Sequence, residues 1–208
     1  MRMVALLSGG IYSPVAAHLM ARRGADVLLL HMDNRPYSDY RSVEKVERVA
    51  ARLRGIHGGM PLYVAEHGPN QDDIARGCDR AYQCVLCKRL MLASAEAFAK
   101  SVGAKALIMG DSLGQVASQT LHNIKASTAD VTVPVLRPII GFDKLEIEAV
   151  AKEIGTYGLS IGPEASCRAV PTKPVTVADP ERMRSMESRL DMEAMVARTL
   201  GSVTLNTA

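Results

Sequence analysis

Apolar residues along the chain fall into two spacings. Short continuous runs at Val4–Leu7, Val27–His31, Leu62–Ala65, Ala106–Met109 and Val133–Leu136 suit strands covered on both faces, which show no alternation. Between them the period is helical. Val15 to Arg23 reads as a helix stopped by Gly24, with Ser13 placed to cap it and Pro14 at its first position. Val43, Val46, Ala50 and Leu53 predict a helix ending at Gly55, and Leu86, Leu90, Ala93 and Ala97 mark one from about Leu86 to Val102. Ala117, Leu121 and Ile124 predict another. Asp143 and Glu146 form a capping-box pattern that opens a helix through Ile147, Val150 and Ile154. Met183, Met186, Leu190 and Ala194 stripe a last helix, and Thr199–Ala208 reads as a loose tail.

Strands alternating with helices predict an α/β fold: a parallel five-stranded sheet with right-handed crossovers and helices on both faces. Residues 1–178 form the domain, and 179–208 a C-terminal helix and tail. Ligands in such sheets sit beyond the carboxyl ends of the strands, which directs attention to Ser8–Ser13, His31–Asp33, Gly110–Gln115 and Arg137–Lys144. Composition changes little: 48% hydrophobic and 23% charged residues are ordinary globular usage. No apolar run approaches the ~20 residues that cross a bilayer, and Met3–Leu7 is too short for a signal-peptide core. A cytoplasmic protein with no membrane partner is expected. The net charge of +3 permits a nucleic-acid partner without requiring one. With no Trp and two Phe, a face of stacked aromatics is not expected.

The first candidate site is Ser8-Gly9-Gly10-Ile11-Tyr12-Ser13-Pro14, joining a strand to a helix. Two glycines allow close approach of a ligand to the backbone, Ser8 and Ser13 offer hydroxyls, and the helix start offers free N–H groups and a positive dipole end. This is an anion cradle or a plain strand-to-helix turn. It is neither G-x-x-x-x-G-K-[ST] nor G-x-G-x-x-G.

Ser8-Gly9-Gly10-x-x-Ser13 resembles the PP-loop of ATP pyrophosphatases, which cleave ATP between the α and β phosphates to adenylate a substrate. Gly110-Asp111-Ser112-Leu113-Gly114-Gln115-Val116-Ala117-Ser118-Gln119-Thr120 is more specific. It is similar to the signature of the tRNA 4-thiouridine synthetases (tRNA sulfurtransferases). Arg137–Lys144 and Ile154-Gly155-Thr156-Tyr157 match that family in order and spacing. The resemblance spans nearly all of Val4 to Thr176, and the family's N-terminal ferredoxin-like and THUMP regions and its C-terminal rhodanese domain are expected to be absent.

The resemblance implies ATP and Mg²⁺ as cofactors. Leu6, Leu7, Ser8, Gly9, Gly10 and Ser13 would meet the nucleotide at the loop, His31 and Met32 at the adenine, and Gly110, Lys88 and Gln119 beside it. Lys144 matches the family's catalytic lysine and Cys167 its active-site cysteine. Read alone, His31 is a satisfied polar group at a strand end, Gln119 a solvated helix face, and Lys144 a first-turn lysine after an Asp cap. The chain departs from the family at Tyr12, where Asp is usual. A phenol supplies no carboxylate to a magnesium–phosphate cluster, so Asp33 and Asp111 become the candidate stand-ins.

Four cysteines remain: Cys78, Cys84, Cys87 and Cys167. Cys84-Val85-Leu86-Cys87 sets two thiols one turn apart at a helix start, where the dipole favours thiolate. With Cys167, in a Gly/Pro/Ser-rich loop, the pair resembles the three-cysteine iron–sulfur ligand set of archaeal and related PP-loop thiolases. The implied group is a [4Fe–4S] cluster on Cys84, Cys87 and Cys167, leaving one iron free for incoming sulfur. A zinc site with Cys78 as fourth ligand, or a disulfide between Cys167 and one of the pair, are the alternatives. Arg76, Arg80, Lys88 and Arg89 flank the pair and either meet RNA phosphates or form a solvated face.

The expectation is an ATP-dependent sulfurtransferase that adenylates a tRNA uridine carbonyl and replaces it with sulfur. Its partners would be tRNA, through a separate RNA-binding subunit, and a sulfur donor protein or sulfide. A homodimer is the expected assembly. The alternatives are a catalytically weak nucleotide-binding iron–sulfur subunit and a PP-loop enzyme acting on a small molecule.

Overall fold

The structure, a computed structural model, describes residues 1–162 and 167–207. Five parallel strands occupy the places their apolar runs predict: β1 (Arg2–Leu6), β2 (Asp26–Asp33), β3 (Leu62–Glu66), β4 (Leu107–Ile108) and β5 (Val135–Leu136). A sixth, β6 (Thr204–Asn206), pairs antiparallel with β3, giving the order β5-β4-β1-β2-β3-β6. The segment expected to be a loose tail thus ends one helix and then seals the sheet edge. Its strand is too short for a periodicity to show.

The crossovers are α1 (Tyr12–Arg22), α2 (Arg41–His57), α3 (Gly68–Gly77), α4 (Gln83–Ser101), α5 (Leu121–Thr128), α6 (Lys144–Glu153) and α7 (Tyr157–Ser160), followed by α8 (Pro180–Glu187) and α9 (Met192–Gly201). The single C-terminal stripe is two helices, because Asp191 caps a new one by accepting from the Ala194 N–H at 2.9 Å. Helix α3 escapes the periodicity: it is short and polar and opens with Gly68-Pro69. The capping box of α6 is formed as expected, with Glu146 N–H donating to Asp143 Oδ1 (2.8 Å) and Asp143 N–H to Glu146 Oε2 (2.7 Å).

Alternation within β1 divides the core. Met3, Ala5 and Leu7 pack with Val15, Val49, Leu53 and Ile147 from α1, α2 and α6. Val4 packs on the other face with Leu92 and Phe98 from α4 and with Leu28, Leu30 and Leu107. Both faces are covered, so the strands read as unbroken apolar runs. A third cluster joins Ile74, Leu86 and Leu90 of α3 and α4 to Met183, Met186 and Met195 of α8 and α9. Because β1 lies between β4 and β2, the crossover direction reverses there. A switch point of this kind opens a crevice at the strands' carboxyl ends.

Candidate active site

A cavity of about 380 Å³ opens at that crevice. Leu6, Leu7, His31, Met32, Met109 and Gly110 line it from the ends of β1, β2 and β4. Gly110 is dictated by space: a Cβ there would stand 2.7 Å from Ser13 Cα and 2.9 Å from the Tyr12 carbonyl carbon. The end of β4 therefore rests directly on the backbone that starts α1.

Ser8 and Ser13 clasp the loop between them. The Ser8 N–H donates to Ser13 Oγ at 2.8 Å, and the two hydroxyls lie 3.0 Å apart. Helix α1 begins at Tyr12, so Ser13 does not cap it as expected; its hydroxyl turns back to hold the loop closed. Pro14 is the third helical residue, still within the turn whose N–H groups lack intrahelical partners. The Lys45 stem packs over Gly9, where a Cβ would meet Lys45 Cδ at 2.9 Å.

His31 is buried, with Nδ1 2.9 Å from the Leu7 carbonyl oxygen. A carbonyl only accepts, so Nδ1 carries the proton and Nε2 presents a lone pair, which has no hydrogen-bond partner. Burial lowers the pKa of His31 and keeps it neutral. Across the cavity Lys88 Nζ meets Asp111 Oδ1 at 2.5 Å, while Arg137 Nε meets Asp111 Oδ2 at 2.9 Å. Asp111 is 2% exposed, and two cations hold it there. Gln119 ends a short 3₁₀ turn (Ala117–Gln119) whose side-chain oxygen is buried without a partner. Tyr12 reaches over the mouth, its hydroxyl donating to Gln115 Oε1 at 3.2 Å.

The remaining wall carries sulfur. Cys84, Cys87 and Cys167 all line the same cavity; Cys78 does not. A pair of amides connects two of them. Gln71 Nε2 donates to Cys87 Sγ (2.9 Å) and to Asn34 Oδ1 (3.0 Å), and Asn34 Nδ2 donates to Cys167 Sγ (3.4 Å). His67 Nε2 lies 3.4 Å from Cys87 Sγ. The expected thiolate character of the pair is not found: burial raises the pKa of Cys84 and pushes Cys87 up to about 12. Desolvation outweighs the pull of the α4 N-terminus. Burial also lowers His67 to about 4.

The cavity thus gathers the predicted Leu6, Leu7, Ser8, Gly10, Ser13, His31, Met32, Lys88, Gly110, Gln119 and all three cysteines. Gly9 stays behind the loop under Lys45. Lys144 stands apart at the start of α6, its side chain 64% exposed and 3.8 Å from Glu148. Of the stand-in carboxylates, Asp111 lies on the cavity wall, the one acidic residue there among the described residues, and is held by two cations. Asp33 is off the wall, held by Arg35 at 2.5 Å. Among the described residues no three His, Cys, Asp or Glu side chains are disposed to hold a metal ion. The Gly/Pro/Ser-rich loop before Cys167 falls partly outside the described residues, at 163–166. Asn34, Gln71 and His67 were not read from the sequence: a half-buried amide after β2, and a buried amide and imidazole on a missed helix and its flank, leave no pattern.

The profile of the family described as "Thiamine biosynthesis protein (ThiI)" matches residues 1–192. A "Probable tRNA sulfurtransferase" of Methanothermobacter thermautotrophicus is 45% identical over 198 residues, 94% of this chain and 51% of the relative. One from Thermus thermophilus is 46% identical over 201 residues, 96% of this chain and 50% of the relative. A crystal structure of a 4-thiouridine synthetase–RNA complex with bound ATP superposes with a TM-score of 0.93 at 35% identity, covering 99% of this chain and 54% of the other. The chain spans about half the length of the curated relatives it matches. With its loop, its signature segment and this fold, the chain belongs to the ThiI family.

Proposed function

We propose that the cavity binds ATP, adenylates a uridine carbonyl of tRNA and passes sulfur to the activated carbon. The observation that carries this reading is the meeting of a phosphate-type loop and three cysteines on one cavity. The loop N–H groups and the α1 dipole suit the phosphates, and the unpartnered His31 Nε2 suits a donor on the base edge. Lys88, fixed by Asp111, supplies positive charge facing the site of pyrophosphate departure. The uridine oxygen attacks the α-phosphorus and pyrophosphate leaves; the outer sulfur of a cysteine persulfide on the thiol wall then attacks the ring carbon that carries this oxygen and AMP leaves. A second wall thiol takes the inner sulfur as a disulfide, freeing the thiouridine, until a thiol reductant resets the pair. Adenylation is needed because an oxide is a poor leaving group. Enclosure keeps water from the activated carbon.

The three thiols are chemically a cluster's ligand set: Cys84, Cys87 and Cys167 would hold [4Fe–4S], which would offer one iron for incoming sulfur. Ligation requires thiolates; metal binding releases the thiol protons, and the Gln71 N–H that donates to Cys87 Sγ suits a thiolate. Among the described residues no three His, Cys, Asp or Glu side chains are disposed to hold a metal ion, so the three cysteines would have to draw together to take the cluster. Among the described residues a magnesium ion would find one acidic wall residue, Asp111, already paired, and would rest on the phosphates. A donor protein's persulfide loads a wall thiol by exchange, its own thiol being released, whereas free sulfide needs no loading and attacks the activated carbon directly. A separate RNA-binding subunit and a homodimer complete the proposed assembly.

The test is to incubate the chain with ATP, tRNA transcript and sulfide. Thiolated uridine and AMP should form together. AMP formation that ignores RNA would contradict the reading.

A further inference from the structure

Behind α3, on the side away from the active cavity, lies a second cavity of about 440 Å³. Asp73, Arg76 and Gly77 line it from α3, Arg189 and Leu190 from the turn between α8 and α9, and Arg198 from α9. Its floor is tight: a Cβ on Gly77 would stand 2.4 Å from Leu190 Cδ2.

Charge in this cavity is unbalanced. Its two carboxylates are engaged within the fold. Asp73 accepts from Arg76 (2.6 Å) and Arg198 (2.8 Å), and Asp191 caps α9. Arg198 is further held by Asn70 Oδ1 at 3.0 Å, and Asn70 is fully buried and donates to Thr199 Oγ1 at 2.7 Å. Its guanidinium is thus pre-aimed, with Nε and Nη2 unused by these bonds. Arg189, among the described residues, has no ion pair or side-chain hydrogen bond. Three guanidiniums against two carboxylates leave a positive cavity, and guanidinium forks match phosphate oxygens.

Of the cations expected to meet RNA, Arg80 stands exposed and lines neither cavity, and two others are engaged within the fold. Lys88 is paired with Asp111, and Arg89 is locked between Asp130, Glu187 and the Ala126 carbonyl. Arg76 is turned into the second cavity. A helix with its side chains is about 10–12 Å across, and α3 is the wall between the two cavities: Gln71 faces one, Asp73 and Arg76 the other.

We propose that this arginine-lined cavity is a phosphate subsite that seats a backbone phosphate of the RNA whose uridine enters the active cavity. It rests on the RNA reading given above. A phosphate contact positions the strand and carries no sequence information.

The probe is an unmodified tRNA transcript, titrated into the whole chain across a salt series, with ATP binding measured in parallel. Arg189→Ala should weaken tRNA roughly fivefold at every sequence tested and lower the slope of log K against log salt by about 1. Arg189→Lys should keep the slope, and ATP affinity should stay unchanged in both. Equal tRNA affinity and slope in wild type and Arg189→Ala would overturn the proposal. Inorganic phosphate is the second probe, read on the Arg189 and Arg198 Nε–H resonances. A phosphate shift in a protein that binds ATP but no tRNA would move the subsite to free phosphate and overturn its RNA role. No shift under either probe would overturn the subsite itself. Loss of ATP binding in wild type is a failure of the active-cavity reading alone.

Discussion

The two walls of the active cavity are built on opposite principles. The loop wall is made of backbone: N–H groups at a helix start, a Ser8–Ser13 clasp and a Gly110 that lets β4 touch α1. The sulfur wall is made of side chains from distant segments, with Asn34 after β2, Gln71 on α3, Cys84 and Cys87 on α4, and Cys167 far along the chain. The first wall suits negative charge because a helix start offers N–H groups without intrahelical partners. The second suppresses charge, since burial holds both its imidazole and its innermost thiol neutral. One cavity can thereby hold polyanionic phosphates at one end and keep sulfur protonated at the other until a substrate arrives.

The comparison breaks most sharply at the hinge between the walls. Asp111→Ala leaves Lys88 and Arg137 as largely buried cations without a counter-ion, and roughly 3 kcal/mol of stability should be lost, read by denaturant unfolding. Asp111→Asn should recover part of it. Gly110→Ala strikes the loop wall alone. Its Cβ meets backbone, which cannot yield as a flexible side chain would, so about 2 kcal/mol should be lost along with measurable ATP binding by calorimetry.

The apolar runs announced five strands because strands covered on both faces need no alternation, and the glycine loop announced its cradle because backbone geometry is written locally. Helix α3 and strand β6 were not legible. The first is short and polar, its buried face made of Asn70 and Gln71 with Ile74 as its one large apolar residue, and the second gains its order only by pairing with β3. The convergence of Cys167 with the pair could be anticipated from the resemblance, but its amide links could not, because nothing local couples Asn34 to Gln71. The charge state of the pair was misjudged for a related reason. A helix start is visible in a sequence, whereas the packing that desolvates Cys87 is not.

Acid and base should separate the walls further. His67 is about 4 in the fold against an ordinary 6.5. A depressed folded value means that its contribution to stability is complete above 6.5 and is lost as pH falls toward 4. Cys87 runs the other way: its folded value of about 12 against 9.0 gives stability that is complete below 9 and lost as pH rises toward 12. Unfolding midpoints across pH should droop at both ends. His67→Leu should flatten the acid limb, and an unchanged limb would remove His67 from this account.

The smallest expected effect is at the cavity mouth. Tyr12→Asp restores a carboxylate beside the phosphates and removes the hydrogen bond to Gln115. AMP release in the presence of tRNA should rise severalfold, within about 1 kcal/mol of barrier. A slower variant would show that the phenol, bridging to the signature segment, has become part of the working loop.

Whether the loop and the thiols serve one cavity can be read directly by alkylation. The chain is treated with iodoacetamide at pH 8 with and without saturating ATP, and each cysteine is quantified by mass spectrometry. The account predicts that ATP slows labelling of Cys84 and Cys167, leaves Cys78 unchanged, and has no effect in Gly110→Ala. Equal labelling of Cys84 and Cys167 with and without bound ATP would contradict it.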